Sequence, residues 1–322
     1  MEPLLSVRNL KTYFYRRGTV IKAVDGVDFE IAPKGVLALI GESGCGKSVT
    51  ALSLTRLVSA NGRIVSGEII FKGDDILKAD RKKLEGIRGG EISYIFQDPA
   101  TSFNPVFTIG EQIVEAIELH RGLSSHSARD CAAELLKSVE IPAPKERLGS
   151  YPHELSGGMK QRAMLAMAIA SHPALLIADE PTTSLDVTIQ MQILDLLNKL
   201  RQENGLAILL ITHDFSVVAH MADEVAVMYL GKIVERASLR EILDNPLHPY
   251  TVGLLGCIPK PGKPKGRLAF IEGSVAHPDC ALLGCNFAQR CNLADDSCGE
   301  EMELVEVRPG HWVRCGKAGY RG

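Results

Sequence analysis

Residues Gly41 to Ser48 read GESGCGKS, a glycine-rich turn closed by a lysine and a hydroxyl, at the spacing G-x-x-x-x-G-K-[ST]. The chemistry is phosphate binding. Glycines let backbone N–H groups wrap the phosphates, the following helix N-terminus adds positive potential, Lys47 reaches the terminal phosphates and Ser48 ligates Mg²⁺. A second segment, LLIADE from Leu175 to Glu180, is an apolar run ending in two carboxylates. Strand tips are where open α/β sheets present ligands. Asp179 is therefore placed to hold the Mg²⁺ shell, and Glu180 to polarise a water for in-line attack on a γ-phosphate. Alone, Asp-Glu at a strand end is an ordinary loop start; beside a phosphate loop it has a purpose. A third group is Cys285, Cys291, Cys298 and Cys315, separated by five, six and sixteen residues. Four thiolates suit either Zn²⁺ or an iron–sulfur cluster, and the spacing leaves both open, although structural zinc sites usually pair cysteines more tightly.

Residues Leu155 to Arg162 read LSGGMKQR, in which Ser156, Gly157 and Gly158 open a helix whose N–H groups can bind an anion. By itself this is a helix cap. Lying between the phosphate loop and LLIADE, it resembles the signature of ATP-binding cassette (ABC) ATPases. The resemblance implies an α/β P-loop NTPase fold: a RecA-like core with an antiparallel β subdomain, an inserted helical subdomain and, at the C-terminus, a small cysteine-rich domain. It also implies a dimer in which the signature of one subunit closes over ATP held by the loop of the other. By the same resemblance the nucleotide contacts are Gly41, Ser43, Gly44, Cys45, Gly46, Lys47, Ser48 and Val49, with Phe14 stacking on adenine and Tyr13 as the rival. Gln97 in YIFQDP matches the loop that senses Mg²⁺ and touches the membrane subunits. Ser184, Leu185 and Asp186 match the segment that crosses to the partner, and His213 in LLITHD matches the histidine that contacts the γ-phosphate.

The similarity narrows to ATPases of oligopeptide and dipeptide importers through QDPATSFNP (Gln97 to Pro105), ADEPTTSLDVTIQ (Ala178 to Gln190) and LHPYTVGLL (Leu247 to Leu255). That resemblance implies a [4Fe–4S] cluster on the four cysteines, with zinc as the alternative and Cys280 as a spare thiol. It implies a second ATPase subunit, two transmembrane permease subunits and an extracytoplasmic solute-binding protein, at the cytoplasmic face of the membrane. Peptides are the expected solute; nickel and small sugars travel through related systems. Cys45, at a helix N-terminus beside Lys47, sits where a thiolate is favoured. Alkylating it would then block ATP; the other reading is that only its backbone N–H matters.

These groups need elements to hold them. Val36 to Ile40, Leu175 to Ala178 and Leu206 to Ile211 are near-continuous apolar runs, the mark of parallel strands covered on both faces. Leu4 to Val7 and Val24 to Ile31 alternate and read as antiparallel strands wet on one face, and Glu224 to Glu235 is strand-like. Helical periods cover Ser48 to Leu57, Ile109 to Leu119, Ala128 to Val139 and Leu239 to Leu243, the middle two forming an insertion over about 98–160. The resulting organisation is a nucleotide-binding domain over 1–256, a Pro- and Lys-rich linker over 257–266 and a cysteine-rich domain over 267–322.

Composition narrows the alternatives. The chain has 322 residues, 45% hydrophobic and 23% charged, the balance of a protein with sizeable cores. Its 36 basic and 39 acidic residues give a net charge of −3 without long blocks of either sign, which disfavours nucleic acid or ribosomes as the target of a soluble cassette. No apolar run approaches the roughly 20 residues needed to cross a bilayer, which disfavours an exporter fused to its own spanning helices. The start lacks a secretory pattern, so the chain is expected to stay in the cytoplasm with its thiols reduced.

Overall fold

The computed structural model describes residues 2–16, 18–98, 102–183, 185–258, 270–274 and 284–318. It divides into two compact units, one built from Leu5–Glu30, Leu37–Leu77 and Thr212–Gly322, the other from Met1–Leu4, Ile31–Val36 and Lys78–Ile211.

The first unit carries β1 (Leu5–Arg16), β2 (Thr19–Ile31), β4 (Gly62–Phe71) and β5 (Asp74–Asp75) in a four-stranded sheet of order β2-β1-β4-β5. The β1–β4 pairing is antiparallel, from Leu5↔Phe71 to Phe14↔Gly62, with an irregularity between Arg8 and Thr12. It explains a change of phase: Leu5 and Val7 are buried before it, Leu10 and Thr12 after it. One extra residue moves the inward face from odd to even positions. The same unit holds β3 (Val36–Ile40), buried along its whole length, in parallel pairing with β9 (Glu224–Tyr229). The strand-like run Glu224 to Glu235 is in fact a hairpin. Leu230 at φ 41° and Gly231 at φ 78° reverse the chain into β10 (Lys232–Ser238). β10 then pairs with β12 (His311–Val313), which pairs with β11 (Val305–Arg308), both antiparallel.

In the other unit β6 (Ile92–Ile95), β7 (Leu175–Asp179) and β8 (Ala207–Thr212) run parallel. β7 and β8 are wholly buried, as their unbroken apolar sequences require. Between β6 and β7 come the helices Ile109–Arg121, Ser125–Ser138, Pro144–Arg147 and Gly157–Ile169, an insertion in the sheet order. Thr108 and Glu111 form a reciprocal capping box that starts the first of these, and Gly122 ends it. Ile113, Ile117, Ala132, Leu136, Met164 and Leu165 are among its buried side chains, each large one worth about 1.5–3 kcal/mol on burial.

Three sequence readings need correction or completion. The helix after the phosphate loop covers Lys47–Leu54 and stops short of Leu57, because Arg56 takes a left-handed conformation at φ 54°. β4, β5 and β6 had no strand expectation; in β4 only Ile69 and Phe71 are buried, which leaves a weak period. Residues 259–266 of the linker, together with Cys280 and Ser184, lie outside the described residues. Among the described residues no helix is long and apolar enough to cross a membrane.

Candidate functional site

The phosphate loop leaves β3 at Ile40 and enters the helix Lys47–Leu54 through Gly46 at φ 108°, a conformation that L side chains rarely adopt. A side chain at Gly41 would stand 2.2 Å from the Met228 carbonyl oxygen, so the loop lies hard against the end of β9. Gly231 N–H donates to the Cys45 carbonyl at 2.8 Å, fixing the loop from the β9–β10 turn. The helix has no side-chain N-cap, which leaves its first N–H groups to the loop concavity. Lys47 is buried, and its ammonium donates to the carbonyls of Gly41 at 2.7 Å and Glu42 at 3.0 Å. Ser43, Gly44 and Ser48 are exposed, and Val49 is half-buried.

Cys45 does not behave as expected. Its thiol is buried, and burial pushes its pKa up; the Lys47 ammonium, 3.8 Å from Sγ, pulls the other way without prevailing. The thiolate expectation fails because desolvation outweighs one neighbouring cation. Phe14 and Tyr13 are both half-buried on β1. The Tyr13 hydroxyl donates to Asp25 at 2.6 Å and Lys22 lies over its ring, so that side chain is already engaged, whereas Phe14 lies opposite Gly62 on β4. His213 is exposed immediately before Asp214, the N-cap of the helix Phe215–Met221.

In the other unit, parallel pairing of β6 with β7 puts Ile95 beside Ala178, so the segments after both strands emerge together. Asp179 is buried and accepts a hydrogen bond from the Tyr94 hydroxyl at 2.9 Å. Burial and that carboxylate raise the tyrosine pKa, so the hydroxyl stays a donor. Glu180 holds a left-handed backbone at φ 49°, the kind of strained position that gathers at functional sites. Its Oε2 accepts from Gln97 Nε2 at 2.9 Å and Thr183 Oγ1 at 2.8 Å. Gln97, Asp179 and Glu180 thus stand together. Ser156 caps the helix Gly157–Ile169 through the Met159 N–H, with Ser156 and Gly157 exposed and Gly158 half-buried. Gly158 lies beside Ile189, one turn into the helix that Asp186 caps, and Gln161, buried further along, donates to the Pro181 carbonyl just after Glu180.

Cys285, Cys291, Cys298 and Cys315 are free and half-buried. Burial is the main cause that raises the thiol pKa values of Cys285, Cys291 and Cys315. Close neighbours add to it: Cys298 and Cys291 act on Cys285, and the other three act on Cys315. Cys285 N–H also donates to the Cys298 carbonyl at 2.8 Å, which holds those two residues together. Thiols are the donor type that a thiophilic centre takes. Among the described residues, no group of three or more His, Cys, Asp or Glu side chains is already arranged to hold a metal ion.

Sequence reasoning overlooked Tyr94, Thr183 and Gln161, whose only signal is proximity in sequence to known motifs. It also assigned no role to Glu42 inside the loop or to Tyr250 inside LHPYTVGLL.

A family model described as "ABC transporter" matches residues 24–183, and one described as "Oligopeptide/dipeptide transporter, C-terminal region" matches 234–298. The chain is 49% identical over 317 residues to the oligopeptide transport ATP-binding protein AppD of Bacillus subtilis, covering 98% of this chain and 97% of that one. The chain belongs to the ABC transporter family. As an ABC ATPase it binds and hydrolyses ATP. It is also 48% identical over 315 residues to a probable peptide ABC transporter ATP-binding protein of Sinorhizobium fredii, covering 97% of this chain and 94% of that one. Among solved structures, a dimeric ATP-binding cassette in a post-hydrolysis state with ADP and Pi aligns at TM-score 0.66 and 27% identity, over 73% of this chain and 99% of that one. The cbiO1 cassette of Clostridium perfringens, part of an ABC transporter complex, aligns at TM-score 0.66 and 26% identity, over 76% and 92%. This ABC ATPase therefore has the nucleotide-binding fold of its family, with mixed α/β sheets.

Proposed function

We propose that this ABC ATPase drives import of di- and oligopeptides, as a peripheral subunit on the cytoplasmic face of the membrane. It pairs with a second ATPase subunit and with two transmembrane permease subunits supplied by an extracytoplasmic solute-binding protein. The observation that carries this reading is similarity to peptide-transport ATPases along nearly the whole chain, C-terminal region included. The proposed domains are 1–256 for the nucleotide, 257–266 as linker and 267–322 as the cysteine-rich domain.

In the proposed division of labour, Lys47 and the loop N–H groups hold the phosphates, and Phe14 stacks on the adenine. Ser48, Gln97 and Asp179 hold Mg²⁺, which supplies charge neutralisation on the phosphates. Glu180 is the base for the attacking water, and Gln97, bonded to it at 2.9 Å, links that carboxylate to the surface facing the membrane subunits. His213 contacts the γ-phosphate. The signature turn at Ser156, Gly157 and Gly158 and the segment around Asp186 serve the partner's nucleotide. Cys285, Cys291, Cys298 and Cys315 hold a [4Fe–4S] cluster, zinc being the rival.

Reconstituting the chain with its permease and binding protein in vesicles tests the substrate: peptide-loaded binding protein should stimulate ATP hydrolysis several-fold, and nickel or sugars should not. Stimulation by nickel or a sugar instead would replace peptide as the solute. Glu180→Gln should keep ATP binding while turnover falls about 10²–10⁴-fold. Brown colour with iron and sulfide supports the cluster; a colourless zinc-loaded protein replaces it.

A further inference from the structure

Two side chains from the C-terminal part of the chain reach the phosphate loop, and both act on Glu42. Its backbone N–H donates to the Tyr250 hydroxyl at 2.9 Å. Its carboxylate accepts a fork from Arg290, Nη1 to Oε2 at 2.7 Å and Nη2 to Oε1 at 3.1 Å. Its carbonyl accepts from Lys47 at 3.0 Å and from Cys45 N–H at 3.3 Å. Every polar group of Glu42 is thus engaged. The Arg290 side chain is 6% exposed and that of Glu42 30%, so the pair is screened much less than a surface ion pair.

Arg290 is itself held in place. Its Nε donates to the Glu272 carbonyl at 3.0 Å, and its Nη1 reaches the Tyr229 hydroxyl at 3.4 Å. The guanidinium lies 5.8 Å from the centroid of Tyr229 and 6.0 Å from that of Phe287. Tyr229, Tyr250 and Phe287 pack against one another with centroids 4.7–5.3 Å apart, giving both anchors a rigid aromatic base. Arg290 is delivered by the short 3₁₀ turn Ala288–Arg290, which lies between Cys285 and Cys291.

We propose that Arg290 and Tyr250 are positioning residues for the phosphate loop: they fix Glu42 before nucleotide arrives and neutralise the loop's only carboxylate. The inference rests on the reading of Gly41–Ser48 as the triphosphate loop. Left alone, a half-buried carboxylate beside the phosphates would repel them, and the fork removes that repulsion while fixing the loop's shape. The cysteine region thereby contributes to ATP affinity without touching ATP.

The test is equilibrium binding of a fluorescent N-methylanthraniloyl ATP to the full chain, with kcat and KM for ATP read in the assembled transporter. Arg290→Ala should weaken binding about tenfold, through KM more than kcat, because a charge-assisted fork is lost. Arg290→Lys should recover only part of this, since a point charge lacks the fork. The double variant Arg290→Ala/Glu42→Gln should bind more tightly than Arg290→Ala, because no carboxylate is left unpaired. Wild-type affinity in Arg290→Ala, with binding lost in Lys47→Ala, overturns this inference and keeps the loop reading. Wild-type affinity in Lys47→Ala overturns both. A double variant as weak as Arg290→Ala also overturns it, since general loosening of the cysteine region then explains the loss.

Discussion

The phosphate loop and the cysteine region are both irregular backbone, yet they are held by opposite means. The loop springs from a strand with all five residues buried, and its shape is fixed by glycines and main-chain hydrogen bonds. In the described part of the cysteine region, Phe287, His311 and Val313 are the residues buried as a whole, and the structure relies on polar clasps. Glu235, fully buried on β10, is the main one. Its carboxylate accepts from the N–H groups of Leu247 at 2.7 Å and His248 at 2.9 Å and meets His311 Nε2 at 2.8 Å, joining LHPYTVGLL to the C-terminal hairpin. Where apolar residues are plentiful, a core holds a loop; where they are scarce, buried polar groups must satisfy one another, and losing one strands the rest.

The largest effect expected from this contrast is at the clasp. Glu235→Ala leaves two N–H groups and a histidine buried without their acceptor, and should destabilise the chain by about 3–5 kcal/mol in denaturant melts. A loss under about 1 kcal/mol would mean the C-terminal hairpin is held by something other than Glu235.

Next comes pH. His248 is buried, and burial lowers its pKa to about 4. Its Nδ1 accepts the Tyr250 N–H at 3.1 Å, so protonation there would set two donors against each other. A depressed folded-state pKa means the stabilising contribution is complete above the unfolded value of about 6.5 and is lost as pH falls from there towards 4, amounting to about 3 kcal/mol. Melting temperatures of wild type and His248→Asn should converge across that window; parallel curves would remove His248 from the acid sensitivity.

Within the loop the contrast predicts loss of function with little loss of fold. Lys47→Ala should weaken ATP about 10- to 100-fold while the melting temperature moves by only a few degrees, because backbone bonds, not the ammonium, shape the turn. Unfolding instead would make Lys47 a structural prop. The smallest effect concerns Cys45, whose buried, raised-pKa thiol should alkylate about tenfold or more slowly than the half-buried Cys131 and Cys257, followed by mass spectrometry without nucleotide. Equal rates would show that the loop opens freely.

Sequence alone determined whatever chemistry is written within a few consecutive residues. The phosphate loop, the carboxylates closing β7 and the Ser156 cap are all local, because main-chain groups and immediate neighbours make them. The buried parallel strands were legible for the same reason, their apolar runs having no exposed face to interrupt them. Tertiary structure decided whatever depends on distant partners. Tyr94 finds Asp179 85 residues on, Glu235 finds His311 after 76, and Glu42 finds Arg290 after 248. It also reversed the expectation for Cys45, since a helix terminus and a lysine can be read from spacing whereas desolvation depends on what the rest of the chain packs around the sulfur.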